Sequence, residues 1–322
     1  MMFLGLTDAA GAERLASLRV AEATFTTRLA GRGLAAVGAN APAATWLARS
    51  VGGRLNALQG LVSRQRLLEA LAERGPIVAT AGDAEVADLD EAVAALGPDL
   101  APFEAALARF GLKREYQLLV AWDAQATLKA VAGRPEVGLA AARAEGRRRF
   151  GEALSAAMEA ERRRLVGICL GEFAAAVEDL IALPTSEADL VVNALALVAP
   201  DGGARLDAAL ARVDAALPGE PRVRCLGPLP ATSFAAIEFQ RADARALGEA
   251  RVLLDLGPSV SSEELKAAFR LKSKLWHPDA GGDAQRFAKL ISARALLASF
   301  ADRNGADAIA TLRLGGRQEL AA

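Results

Sequence analysis

Pro278 is the residue that most constrains how this 322-residue chain can fold. A proline cannot continue a helix, and it biases the residue before it, His277, out of the α region. The run leading up to it nevertheless reads as a helix from Ser261 to Trp276. Ser261 and Glu264 have capping-box spacing, which marks the start. Leu265, Ala268, Phe269 and Trp276 recur at helical spacing and form one apolar stripe. Lys266, Arg270 and Lys274 stand four apart and stack on another face, with Lys272 adding charge nearby. After the tripeptide His277-Pro278-Asp279, Gly281-Gly282-Asp283 predicts a tight polar loop with Asp283 as a helix N-cap. Phe287, Leu290, Ala293 and Leu297 then predict a second amphipathic helix. Two short helices joined by a short loop lie antiparallel with their apolar stripes together. A shorter apolar element, Val252 to Leu256, precedes them and ends at Gly257-Pro258.

This layout over residues 248–302 resembles a J domain: a short first helix, a basic second helix, a His-Pro-Asp loop and a third helix. The resemblance implies a DnaK-type chaperone as partner. Lys266, Arg270 and Lys274 would dock on its acidic surface, where charge complementarity speeds encounter and sets orientation. His277, Pro278 and Asp279 would transmit the signal for ATP hydrolysis. The chain departs from that family at Arg251, where an aromatic residue is usual, and at Arg294, where tyrosine is usual. Taken without the family, the same residues also describe a surface helix with solvated lysines and an ordinary proline turn. A metal or catalytic role for His277 is disfavoured, because it is the only histidine and Cys169 and Cys225 lie far from it in sequence.

Composition narrows the rest. Hydrophobic residues make up 52% of the chain, enough for well-formed cores, and the length suits two or three domains. A net charge of −1 gives no global pull toward nucleic acid or an anionic membrane. Two cysteines offer no disulfide framework, which suits a reducing cytoplasm. Met1 to Leu6 is apolar but too short, and lacks the basic lead-in, for a signal peptide. No apolar run approaches the roughly 20 residues that span a bilayer. A cytoplasmic protein is expected.

Residues 1–245 read as an α+β body. Strands are predicted at Phe3–Thr7, Leu34–Val37, Pro76–Thr80, Tyr116–Trp122, Leu190–Val198, Arg222–Leu226 and Phe234–Phe239. Helices are predicted at Ala44–Arg74, Ala84–Phe110 with a break near Gly97-Pro98, and Ala204–Ala216. Such alternation suggests a layered α+β or α/β architecture, with a boundary near Gly133-Arg134-Pro135. The arginine runs 147–149 and 162–164 are interleaved with Glu145, Glu152, Glu159 and Glu161. That pattern favours a solvated, salt-bridged helix face over a nucleic-acid patch, and no aromatic residues alternate with the arginines. Phosphate-loop and nucleophile-elbow patterns are missing, so neither an enzyme nor a cofactor is expected.

The segment Cys225-Leu-Gly-Pro-Leu-Pro-Ala-Thr-Ser-Phe234 resembles the late signature of the gas vesicle protein GvpL/GvpF family. Gly75-Pro76-Ile-Val, Leu112 to Asp123 and Asp189 to Val198 resemble three further strands of that family, in its order. Thr80-Ala-Gly82 replaces the family's Arg-Phe-Gly, and Leu229 and Thr232 replace its Trp and Tyr. Independently of the family, Gly227-Pro228 and Pro230 force an extended, rigid link between strands. Gly227, Pro228, Pro230, Ser233 and Phe234 are therefore expected to fix the fold. The resemblance implies a ferredoxin-like N-terminal domain over 1–133 and a second α+β domain over 134–245, followed by the J-domain hairpin over 248–302 and a C-terminal tail over 303–322. It also implies binding to the shell protein GvpA and other gas vesicle accessory proteins. Together the two resemblances describe a gas vesicle assembly factor, cytoplasmic or vesicle-associated, that recruits a chaperone. The alternative is a general J-domain co-chaperone with a different client. A third class, an enzyme regulated by a J domain, has no catalytic constellation behind it.

Overall fold

The computed structural model describes residues 1–15, 18–20, 23–40, 53–135, 137, 146–185, 187, 189–278, 282–302 and 308–315. In chain order the first elements are β1 (Met2–Asp8), α1 (Ala9–Leu15), β2 (Arg19–Val20), β3 (Ala23–Gly31), β4 (Leu34–Asn40), α2 (Gly53–Arg74), β5 (Val78–Glu85), α3 (Leu89–Leu96) and α4 (Ala101–Phe110). Then come β6 (Arg114–Ala121), α5 (Ala124–Ala132), α6 (Gly146–Ala176), β7 (Asp179–Ala182), β8 (Leu190–Val198), α7 (Gly203–Ala216) and β9 (Arg222–Pro230). The last are β10 (Ala235–Arg241), α8 (Ala244–Leu254), α9 (Ser262–Trp276), α10 (Ala284–Ala298) and β11 (Ala308–Leu314).

The chain forms two compact units. The first combines Met1–Leu112 with Ala235–Leu314, and the second takes in Lys113–Phe234. The boundary expected near residue 133 therefore falls instead at 112/113, because β6 pairs with β8 and β9 rather than with the N-terminal strands.

In the first unit a seven-stranded sheet runs β11-β10-β5-β1-β4-β3-β2. Its stretch β5-β1-β4-β3 has the split βαβ order of the ferredoxin-like arrangement. Phe3 to Thr7 of β1 are all buried, as suits a central strand covered on both faces. Leu4 packs with Leu67, Leu68 and Leu71 of α2. β10, expected to close the second domain, instead joins this first sheet in parallel with β5 at Ile237↔Thr80.

Residues 308–314 are not a tail. They form β11, antiparallel to β10 from Ala235↔Leu314 to Arg241↔Ala308. The three helices α8, α9 and α10 are thus an insertion between two adjacent strands of the sheet.

The second unit repeats the βαββαβ order. Its antiparallel sheet runs β7-β8-β6-β9, with α6 and α7 packed on one face. Leu118 and Val120 of β6, Cys169 and Phe173 of α6, and Ala209 and Val213 of α7 share its core.

Elsewhere the expected strands and helices appear with shifted ends. β5 runs on to Glu85, where a helix was expected from Ala84, while the break at Gly97 is present. The predicted helix Ala44–Arg74 is seen as Gly53–Arg74, and its first residues lie outside the described ones.

Candidate functional site

The inserted helices are defined by their caps. Asp243 accepts the Arg245 N–H at 2.8 Å to open α8. For α9 the capping box is complete: Glu264 N–H donates to Ser261 Oγ (3.2 Å) and Ser261 N–H donates to Glu264 Oε2 (2.9 Å). That backbone donor holds the Glu264 carboxyl below the usual carboxylate range. Asp283 opens α10 by accepting the N–H groups of Gln285 and Arg286. At the other end of α10, Asp302 straps the base of the hairpin. It accepts Ser262 N–H (3.0 Å) and Ser262 Oγ–H (2.5 Å), while its own N–H donates to Val260 O at 2.8 Å.

Between α9 and α10 the chain turns as Pro278 dictates. His277 has φ −64° and ψ 130°, outside the helix. Its carbonyl accepts the Gly282 N–H at 3.0 Å. A Cβ at 282 would sit 2.3 Å from the Trp276 carbonyl carbon, so the loop closes only with glycine there. The half-buried His277 ring meets Phe287 edge-on at 4.8 Å, which ties the loop to α10. Leu265 packs with Leu290, Ala293 and Leu297, and Leu247, Leu254 and Phe300 complete this core, with Ile309 of β11 against it.

Arg294, standing where an aromatic was expected, lies with its guanidinium 4.6 Å from the Phe269 ring centre. A flat cation over a ring face thus takes the place of a ring–ring contact.

Lys266, Arg270 and Lys274 are all exposed on α9, on one face, and Lys266 pairs with Glu263 at 2.9 Å. Lys272 does not join them. Its side chain is 13% exposed, paired to Asp255 at 2.6 Å and laid over the Trp276 ring. His277 and the exposed Pro278 follow directly at the end of the basic stripe. Asp279 lies outside the described residues. One feature escaped the sequence reading: Leu271 and Leu275 sit beside the basic stripe at 65% and 66% exposure. Their i, i+4 spacing off the core-facing stripe was the available signal.

The second group of predicted residues is structural. Gly227 has φ +148°, and a Cβ there would meet the Glu115 carbonyl oxygen and Tyr116 Cδ1 at 2.8 Å, so β9 can approach β6 only with glycine. The Gly227–Pro228 peptide bond is cis. Pro230 and Phe234 are buried. Ser233 donates both its N–H (2.8 Å) and its Oγ–H (2.7 Å) to the carboxylate of buried Glu115 on β6. This lock joins two segments 118 residues apart.

The arginine-rich helix is a third case. Glu161 was expected on a solvated face but is 4% exposed. Arg164 (2.7 Å) and Arg134 (2.5 Å) hold its carboxylate, and these bonds outweigh burial and pull it down to about 2. Arg162 donates to Thr185 Oγ and the Leu190 carbonyl. The side chains of Arg147 to Arg149 lie outside the described residues.

Burial pushes the Cys169 thiol up to about 11, which leaves it inert. No helix among the described residues is long and apolar enough to cross a membrane.

Comparisons with known proteins agree with this architecture. The family model described as gas vesicle synthesis protein GvpL/GvpF matches residues 17–236, more than half of the chain. No curated protein matches it. The crystal structure of gas vesicle protein GvpF from Anabaena sp. PCC7120 is similar in fold, with TM-score 0.55 and 13% identity over 72% of this chain and 93% of that one. GvpF from Microcystis aeruginosa gives TM-score 0.52 and 12% identity, covering 72% of this chain and 97% of its own. Match and fold together place the chain in one family: it belongs to the GvpL/GvpF gas vesicle synthesis proteins.

Proposed function

We propose that this protein is an accessory factor of gas vesicle assembly whose body binds GvpA or other gas vesicle proteins and whose inserted hairpin acts as a J domain toward a DnaK-type chaperone. The observation that carries the chaperone half is α9 itself. Its capped basic face points Lys266, Arg270 and Lys274 outward and leads directly into His277 and Pro278, while Leu265, Ala268, Phe269 and Trp276 pack into the hairpin core. Family membership supports the vesicle half. Shell subunits bound by the body would meet the chaperone at high effective concentration, so weak docking on the hairpin would suffice.

His277→Gln should abolish stimulation of a DnaK-type ATPase in single-turnover assays, with an unchanged circular-dichroism spectrum. No stimulation by the wild-type protein would refute the chaperone half. Co-purification of the full-length protein with GvpA tests the vesicle half, and recovery no better than from an unrelated bait would count against it.

A further inference from the structure

We infer that Leu271 and Leu275 form an apolar anchor beside the basic stripe, and that the surface docking on α9 is an acidic protein face with an apolar recess. This rests on the chaperone-recruiting reading and names what that docking surface must look like. α9 carries two apolar stripes, not one. Leu265, Ala268, Phe269 and Trp276 face the hairpin core. Ala267, Leu271 and Leu275 run four apart along a second row, between the core-facing stripe and the basic one, all exposed. Single exposed leucines are ordinary. Two successive ones on one helix row, next to a row of three cations, give a contact with both a desolvated centre and a charged rim, the anatomy of a protein interface.

Charge decides the occupant. A second copy docking by two-fold symmetry would lay Lys266, Arg270 and Lys274 against the same residues, a like-charge juxtaposition that opposes association. An anionic lipid surface fits poorly too. Glu263 and Glu264 stand at the start of α9 and are exposed, and Trp276 is turned into the hairpin rather than outward. Membrane-surface helices need a broader apolar face than two leucines. An acidic protein surface meets the cations and accepts the leucines. Electrostatic contacts weaken with salt while burial of the leucines does not, so the two halves of the contact separate experimentally.

The test titrates full-length protein against a DnaK-type ATPase at low and high potassium chloride, comparing wild type with Leu271→Ser/Leu275→Ser and with Leu271→Met/Leu275→Met. The serine pair should raise the half-maximal concentration about tenfold while leaving maximal stimulation intact, since a handful of buried anchors dominates such interfaces. The methionine pair should stay near wild type. At high salt the wild type should retain weak stimulation and the serine pair none. Superimposable curves for wild type and serine pair at both salts would overturn the anchor while leaving the chaperone reading standing. A wild type that stimulates nothing would overturn both. Leucine-dependent dimerisation in sedimentation, or leucine-dependent binding to phosphatidylserine vesicles, would overturn the acidic-protein partner in favour of a second copy or a membrane.

Discussion

Glu161 is a buried charge in the second unit that two arginines answer. Arg164 and Arg134 both donate to it, and its carboxyl lies at about 2 against an ordinary 4.5. A carboxylate whose folded value is depressed adds stability that is fully present above its unfolded value and is lost as pH falls toward the folded one. Urea denaturation should therefore show stability falling between about pH 4.5 and 2. Glu161→Gln should lose roughly 2 kcal/mol at neutral pH, since hydrogen bonds to a charged group are the strong ones. It should also show a shallower decline through that acid window. Glu115 is likewise buried, and its carboxylate takes both donors of Ser233. Neither pairing could be read in the sequence: interleaved glutamates and arginines look alike whether a turn of helix faces water or the sheet beneath it.

Among the elements, helices with chemical end signals were legible to within a residue or so. Ser261 with Glu264 starts α9, Pro278 follows its end, and Asp283 opens α10. Ser261→Ala should cost about 1 kcal/mol, the usual worth of an N-cap, read as a lowered melting temperature of the full-length protein. No change on melting would mean that the strap from Asp302 to Ser262 alone fixes the start of α9. Strands were harder. β8, an apolar run, is legible in the sequence at its full length Leu190–Val198. β3 was missed because Ala-Thr-Phe-Thr-Thr-Arg carries a half-buried, mostly polar pattern whose strand character depends on its neighbour β4. β7 is four residues long, too short for periodicity to register. The sequence places the helical start of the α3–α4 region too early, at Ala84, because Ala84 and Glu85 have no strand propensity of their own. They are held in β5 by pairing with Phe3 and Met2.

At the scale of the whole molecule, the chain leaves the first unit after Leu112, builds the second, and returns at Ala235 to add two more strands to the first sheet. The inserted helices are consequently not a module on a string. They leave from β10 and come back into β11, whose Ala308 and Ala310 are buried and whose Ile309 touches the hairpin core. A chain shortened to end at Asp302 should melt on the order of 5–10 °C lower by calorimetry, and should aggregate more readily because β10 becomes an open edge. A free tail would leave both properties unchanged. By itself the sequence determined what is local: where α9 and α10 start, where Pro278 stops a helix, the basic row on α9, and the glycine and prolines of the 227–234 link. Those depend on caps, backbone restrictions and helical spacing within a few residues. Which sheet each strand joins was decided only by the tertiary structure, as were the boundary at 112/113 and the burial of Glu161. Each of these is set by partners tens to hundreds of residues away, and no local pattern of side chains encodes a partner at that distance.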